Sequence, residues 1–216
     1  MTEDRPVGAR EAARRRVRAA LAGAARTLVA ENGYDDTTIE MIAERAGVSR
    51  RTFFRHFETK DAVLLHFYDE LGDEIAAKIL DQGDDVPAWI AVANAFAVIE
   101  EFLSLATDRV AHSQLARIID DSPRLHAARN YRRRHNVERA ARALLERESR
   151  AGREMSPLIA SAVAGSAFSC LYSAEKVYLH DASADATDTF VTVATGLFEQ
   201  IGLAQAYSLA SAEAQG

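Results

Sequence analysis

A chain of 216 residues with 48% hydrophobic but only 7% aromatic residues, and with Gly and Pro held to 11 and 4, can build one sizeable core or two small ones. Its alanine-rich composition and the lack of any long apolar/polar alternation exclude a sheet, so the fold class is all-α. The net charge of −6 is uneven: residues 1–60 hold 12 Lys/Arg against 9 Asp/Glu, residues 61–216 hold 14 against 23, and a mildly basic end on an acidic body is what a chain shows when one end meets a polyanion.

The N-terminal residues are charged without an apolar h-region, and the lone Cys170 can make no internal disulfide, so a reducing cytoplasm is expected. After a tail of residues 1–9 the pattern is helical from Arg10. Val17, Leu21, Ala24 and Leu28, flanked by Ala25 and Val29, recur at three- and four-residue steps, and Asn32-Gly33 ends the run. Arg14, Arg15, Arg16 and Arg18 lie off that stripe, where a solvated face and a phosphate contact are equally good readings.

Thr37-Thr38-Ile39-Glu40 predicts a capping box, with Thr37 accepting from the amide of Glu40, at the start of a short second helix whose inner face is Ile39, Ile42, Ala43 and Ala46. Gly47 stops it as a left-handed C′ residue. Ser49 is placed to cap a third helix, and Val48 to staple against Phe53. Two short helices across a tight Gly turn, behind a longer one, form a helix-turn-helix unit over residues 10–59. At 100° per residue Phe53 and Phe57 share the buried face, so Arg51, Thr52 and Arg55 point away, with Arg50 and Phe54 beside them. Arginine forks suit guanine edges, Thr offers a methyl and a hydroxyl, and Phe54 can press on sugar or a thymine methyl.

From about Arg10 to Leu65, through "ENGY" and "TTIEMIAERAGVSRRTFFRHFETKDAVL", the chain resembles the N-terminal domain of the TetR family of bacterial transcriptional regulators. The resemblance implies phosphate or sugar contacts for Thr38, Phe54, His56 and Lys60, and base-facing positions for Arg50, Arg51, Thr52 and Arg55, with Ser49 at the turn among the DNA-binding set. Two positions depart from the family pattern: Phe54 stands where Tyr is common, and Arg51 where a small residue or Pro is common. Both bear on operator preference. The segment from "ARIIDDSPRL" onward resembles, more loosely, an actinobacterial-type subgroup.

Beyond Thr59, a possible N-cap, a linking helix runs from Lys60 to about Leu80, residues 83–86 loop, and Pro87 opens a helix carrying Trp89, Val92, Phe96, Ile99 and Leu103. A sixth helix reaches about Asp120, Ser122-Pro123 begins a charged one to about Arg150, Ser156-Pro157 begins another to about His180, and Asp185 to Gly202 forms the last, for about nine in all. The uncharged run Pro157 to Ala174 nears bilayer length, but its four serines and many alanines favour burial against protein.

By the resemblance, residues 60–203 bind a small-molecule effector and dimerise through the last two helices, with 204–216 a tail. Ala160, Ala164, Ala167, Gly165 and Ser169 permit close helix approach in a dimer or equally within one chain, and the last helix offers Phe190, Val193, Ala194, Leu197 and Ile201. Trp89, Phe96, Phe102, His112, His126, Tyr131, Phe168 and Tyr172 are candidate effector-wall residues, because such pockets are mostly apolar with a few polar groups. No catalytic set is expected: "AGSAF" around Ser166 lacks the second Gly of a nucleophile elbow. The six histidines show no metal-ligand spacing, so neither metal nor cofactor is expected. The expectation is therefore a non-enzymatic, ligand-responsive repressor, a homodimer on a pseudo-palindromic double-stranded DNA operator. The alternative is an all-helical enzyme or protein-binding adaptor with a degenerate helix-turn-helix.

Overall fold

The computed structural model describes residues 5–99, 109–180 and 196, and among these it is all-α, without a strand. The helices are α1 (Arg5–Asn32), α2 (Ile39–Arg45), α3 (Arg50–His56), α4 (Lys60–Leu64), α5 (His66–Asp81), α6 (Ala88–Ala95), α7 (Arg109–Asp121), α8 (Pro123–Arg150) and α9 (Pro157–His180). Phe102, Leu103, the expected last helix with Phe190, Val193, Ala194, Leu197 and Ile201, and the tail lie outside the described residues. Contacts divide the chain into two compact units, which in the described residues are 5–68 with 109–130, and 69–99 with 131–180 and 196.

The first unit is organised on α1, which packs against α2, α4 and α7, while α3 packs on α2. The stripe read from the sequence is the one buried: Leu21, Ala25 and Leu28 meet Ile42, Ala43, Phe53, Phe57 and Val63 in one cluster. A second cluster joins Val29 to Leu64, Leu65, Tyr68, Leu115, Ile119 and Leu125. Each large apolar side chain so buried contributes about 1.5–3 kcal/mol by area, so this unit does not depend on its polar face for stability.

The single linking helix expected from Lys60 to Leu80 is broken at Leu65 into α4 and α5. Neither Gly nor Pro marks the break. Val63, Leu64, Leu65 and His66 are all buried, a consecutive run that exceeds one helical face and forces packing on more than one side. Pro87 stands at the N-cap of α6, one residue before the position expected of it.

In the second unit α6 packs on α9, with Phe96 edge-to-face on Phe168 at 5.5 Å between ring centroids. Ala160, Ala164 and Ala167 are fully buried there, so those small residues serve packing within the chain. Gly72 permits a close approach of α5 to α8, since a Cβ would fall 2.0 Å from Oδ1 of Asn136. The α5–α6 loop is held by Arg147, 0% exposed, which donates to the carbonyls of Gly83 and Val86 and pairs with Glu148. One stretch, Pro157–Lys176, is long and apolar enough by length and composition to cross a membrane. Its Ala160, Ala164, Ala167, Phe168 and Leu171 are buried in this unit, as in a core helix.

Candidate nucleic-acid interface

The site begins at the caps that aim α3. Thr38, not Thr37, is the N-cap of α2, accepting from the amide of Met41 at 3.2 Å. Thr37 is buried and donates to the carbonyl of Gly33, closing the α1–α2 loop. The capping box therefore does not form, and Glu40, freed from it, pairs with Arg50. The C-terminus of α2 ends in a Schellman motif: the amide of Val48 donates to the carbonyl of Ala43, that of Gly47 to Glu44, and Gly47 has φ +68°. Ser49 then caps α3, accepting from the amide of Thr52 at 3.1 Å.

Those constraints fix which face of α3 is buried. Phe53 and Phe57 are buried, and Val48 packs on the same cluster as a staple. Arg51, Phe54 and Arg55 are exposed, with Phe54 45% exposed despite its size. The Thr52 hydroxyl lies 2.9 Å from that of Ser49. Nε of Arg50 lies 3.1 Å from Oε1 of Glu40 in an ion pair, and its guanidinium carbon lies over the Phe54 ring, 5.4 Å from its centroid. Arginine forks and an aromatic on one outward face can neutralise phosphate and reach base edges.

Two other residues of the set are placed differently. Lys60 lies over the Tyr34 ring and donates to the carbonyls of Tyr34 and Thr37, the latter at 2.7 Å, and its burial lowers its pKa. It thus ties the α1–α2 loop to α4. His56 has both ring nitrogens enclosed without a hydrogen-bond partner, and burial, then Arg55, Arg14 and Arg18, lower its pKa.

Sequence reasoning missed the polar supports. Arg18 stacks on Phe57 at 4.9 Å and donates to His66 at 3.2 Å. Tyr34 donates to Asp61, whose other oxygen accepts from Arg124 at 2.6 Å, and burial with that hydrogen bond raises the Tyr34 pKa. The sequence signal was thin: an aromatic after Asn32-Gly33, and an Asp beside Lys60.

Of the effector candidates, the second unit brings together Phe96, Phe168 and Tyr172, with Arg133 over the Tyr172 ring at 4.3 Å. Trp89 is half-buried on α6. Tyr131 is 54% exposed and lies against the His135 ring, 4.1 Å between centroids. His126 belongs to the first unit, exposed and paired with Asp120, and His112 lies on α7, also in that unit.

Residues 21–67 match the family model described as "Bacterial regulatory proteins, tetR family". The chain is 31% identical over 146 residues to the HTH-type transcriptional regulator TcmR of Streptomyces glaucescens, covering 65% of this chain and 64% of TcmR, a little under two thirds of that relative. Its fold matches a tetR-family transcriptional regulator from Streptomyces coelicolor (17% identity, 88% of this chain and 82% of the other, TM-score 0.54). It also matches SmeT, the repressor of the Stenotrophomonas maltophilia efflux pump SmeDEF (21% identity, 84% and 87% covered, TM-score 0.53). A capped α2, a Schellman turn and an α3 with two buried phenylalanines thus coincide with the segment, residues 21–67, that the tetR family model matches.

Proposed function

We propose that the chain is a cytoplasmic, sequence-specific DNA-binding repressor, a homodimer that sits on a pseudo-palindromic operator and is released by a small apolar or amphipathic effector. One observation carries this: α3 is fixed from behind by Phe53 and Phe57 and presents Arg51, Phe54 and Arg55 outward with Arg50 beside them. A helix serving only packing would not keep so large an aromatic exposed among cations. Residues 10–59 form the reading head. Arg50, Arg51, Thr52, Phe54 and Arg55 meet the duplex, Thr38 and Ser49 meet phosphate from the two helix caps, and Lys60 and His56 act by holding the head together.

Residues 60–203 supply effector binding and dimerisation. The face of α9 opposite its buried alanines supports the second role, with Ser161, Gly165, Ser169 and Ser173 lining a shallow depression of about 470 Å³. Phe168 and Tyr172, with Arg133 beside them, support the first, as an aromatic wall with one cation. An effector acts only if it binds the DNA-incompetent arrangement more tightly, and DNA must then weaken effector binding by the same factor.

The experiment is to sequence the genomic fragments that the full chain retains and to titrate each thermally stabilising compound against them. A shared inverted repeat, released by at least one stabilising compound, supports the reading. Retention without sequence preference refutes it.

A further inference from the structure

Arg50, Arg51 and Arg55 share one short helix, yet only Arg50 is held. Its Nε faces Oε1 of Glu40 at 3.1 Å, and its guanidinium carbon lies 5.4 Å from the centre of the Phe54 ring. Among the described residues no hydrogen bond, ion pair or ring contact engages Arg51 or Arg55, both exposed. Glu40 lies in the first turn of α2 and Arg50 opens α3, so the two caps and the Schellman turn between them fix the spacing of the pair.

A pair whose side chains are 65% and 57% exposed adds little to folding stability. A carboxylate on the face that meets a polyanion also weakens every DNA complex alike, unless something offsets its charge. What Glu40 does accomplish is geometric. Paired with Glu40 at Nε and set against the Phe54 ring, the Arg50 guanidinium is restrained, and among the described residues no partner engages its terminal Nη1 and Nη2. Two N–H donors side by side are what the O6 and N7 acceptors of a guanine require in the major groove. Ordering that fork before contact removes part of the entropy that a free arginine loses on binding.

We infer that Glu40 is a positioning residue that holds Arg50 in place for a guanine edge, so that Arg50 sets base preference while Arg51 and Arg55 chiefly neutralise phosphate. This rests on the DNA-binding reading above.

The test measures affinity of the full-length protein for the retained operator, its single-base-pair variants and a random duplex at fixed salt. Glu40→Gln removes a negative charge and the anchor, so it should tighten binding to random DNA while the operator-to-random ratio falls about fivefold or more, the loss falling at one G·C pair per half-site. Glu40→Asp keeps the charge but shortens the reach, and should lower the ratio without tightening on random DNA. Arg50→Ala should abolish preference at the same base pair, and adding Glu40→Gln to it should cost no further discrimination. Equal tightening by Glu40→Gln on both duplexes, with every base preference kept, would overturn the positioning role and leave the DNA reading standing. A wild-type protein without base preference would overturn both.

Discussion

Two groups of arginines on this chain have opposite relations to their surroundings. At the end of α8, Arg147 is 0% exposed and donates to the carbonyls of Gly83 and Val86, Arg150 donates to that of Leu80 at 2.7 Å, and Arg153 to that of Asp84 at 2.6 Å. Those guanidinium groups are spent on the end of α5 and the loop after it. On α3, Arg51 and Arg55 are exposed, and Arg50 is restrained by Glu40 and the Phe54 ring with its terminal donors unengaged among the described residues. Charge density along the sequence does not separate the two groups. The fate of the donors does: an arginine whose N–H groups are taken up by backbone carbonyls is architecture, and one whose donors are left unengaged is available to a partner.

The comparison breaks most visibly at Arg147. Replacing it with Met strands two carbonyls and leaves Glu148 short of a partner in a buried setting, so we expect a loss of about 3–5 kcal/mol in denaturant unfolding, with no change in the salt dependence of DNA binding. A loss under about 1 kcal/mol would show the loop clamp to be idle.

A smaller effect is expected on α9. Ala164 is fully buried, and Ala164→Trp should overpack the core at a cost of about 1–3 kcal/mol. Ser169 is exposed on the opposite face, where Ser169→Trp should leave the packing intact and yield a monomer by light scattering. A dimer that survives Ser169→Trp would move the interface elsewhere.

A modest effect is expected at His56, whose folded-state pKa lies below the ordinary histidine value through burial first and Arg55, Arg14 and Arg18 next. The unfolded chain then takes up the proton more readily than the folded one. The stability in question is complete above about pH 6.5 and is lost as pH falls through the lowered pKa. Melting temperature should drop between pH 7.5 and 5.5, and His56→Gln should shrink that drop. An equal drop in the variant would assign it to other groups.

What was legible beforehand followed the range of the interactions. The α2–Gly47–α3 turn and Ser49 as cap are set by neighbours within about five residues, the shared face of Phe53 and Phe57 by their four-residue spacing, and all are found where periodicity and turn chemistry put them. The shift of the cap from Thr37 to Thr38 has a tertiary cause: the Thr37 hydroxyl is claimed by Gly33, which a capping pattern cannot register. The break at Leu65 likewise comes from packing on more than one side, with no local breaker to announce it. Lys60 matched a motif position, but the carbonyls it binds lie 23 and 26 residues earlier. Spacing also placed Ala164 and Ala167 on the small face of α9 without saying whether that face met its own chain, and both are buried within it.

The smallest expected effect on stability belongs to Arg51→Ala and Arg55→Ala, within about 0.5 kcal/mol of wild type, because neither side chain supports the fold. The same pair gives the most direct test of DNA reading through α3. The measurement is the slope of log affinity against log salt on a retained duplex, for the wild type and for the double variant. The wild type should weaken linearly with salt, and the double variant should show a slope shallower by about two with its melting temperature unchanged. A wild type insensitive to salt, or a double variant with the wild-type slope and affinity, would contradict the account.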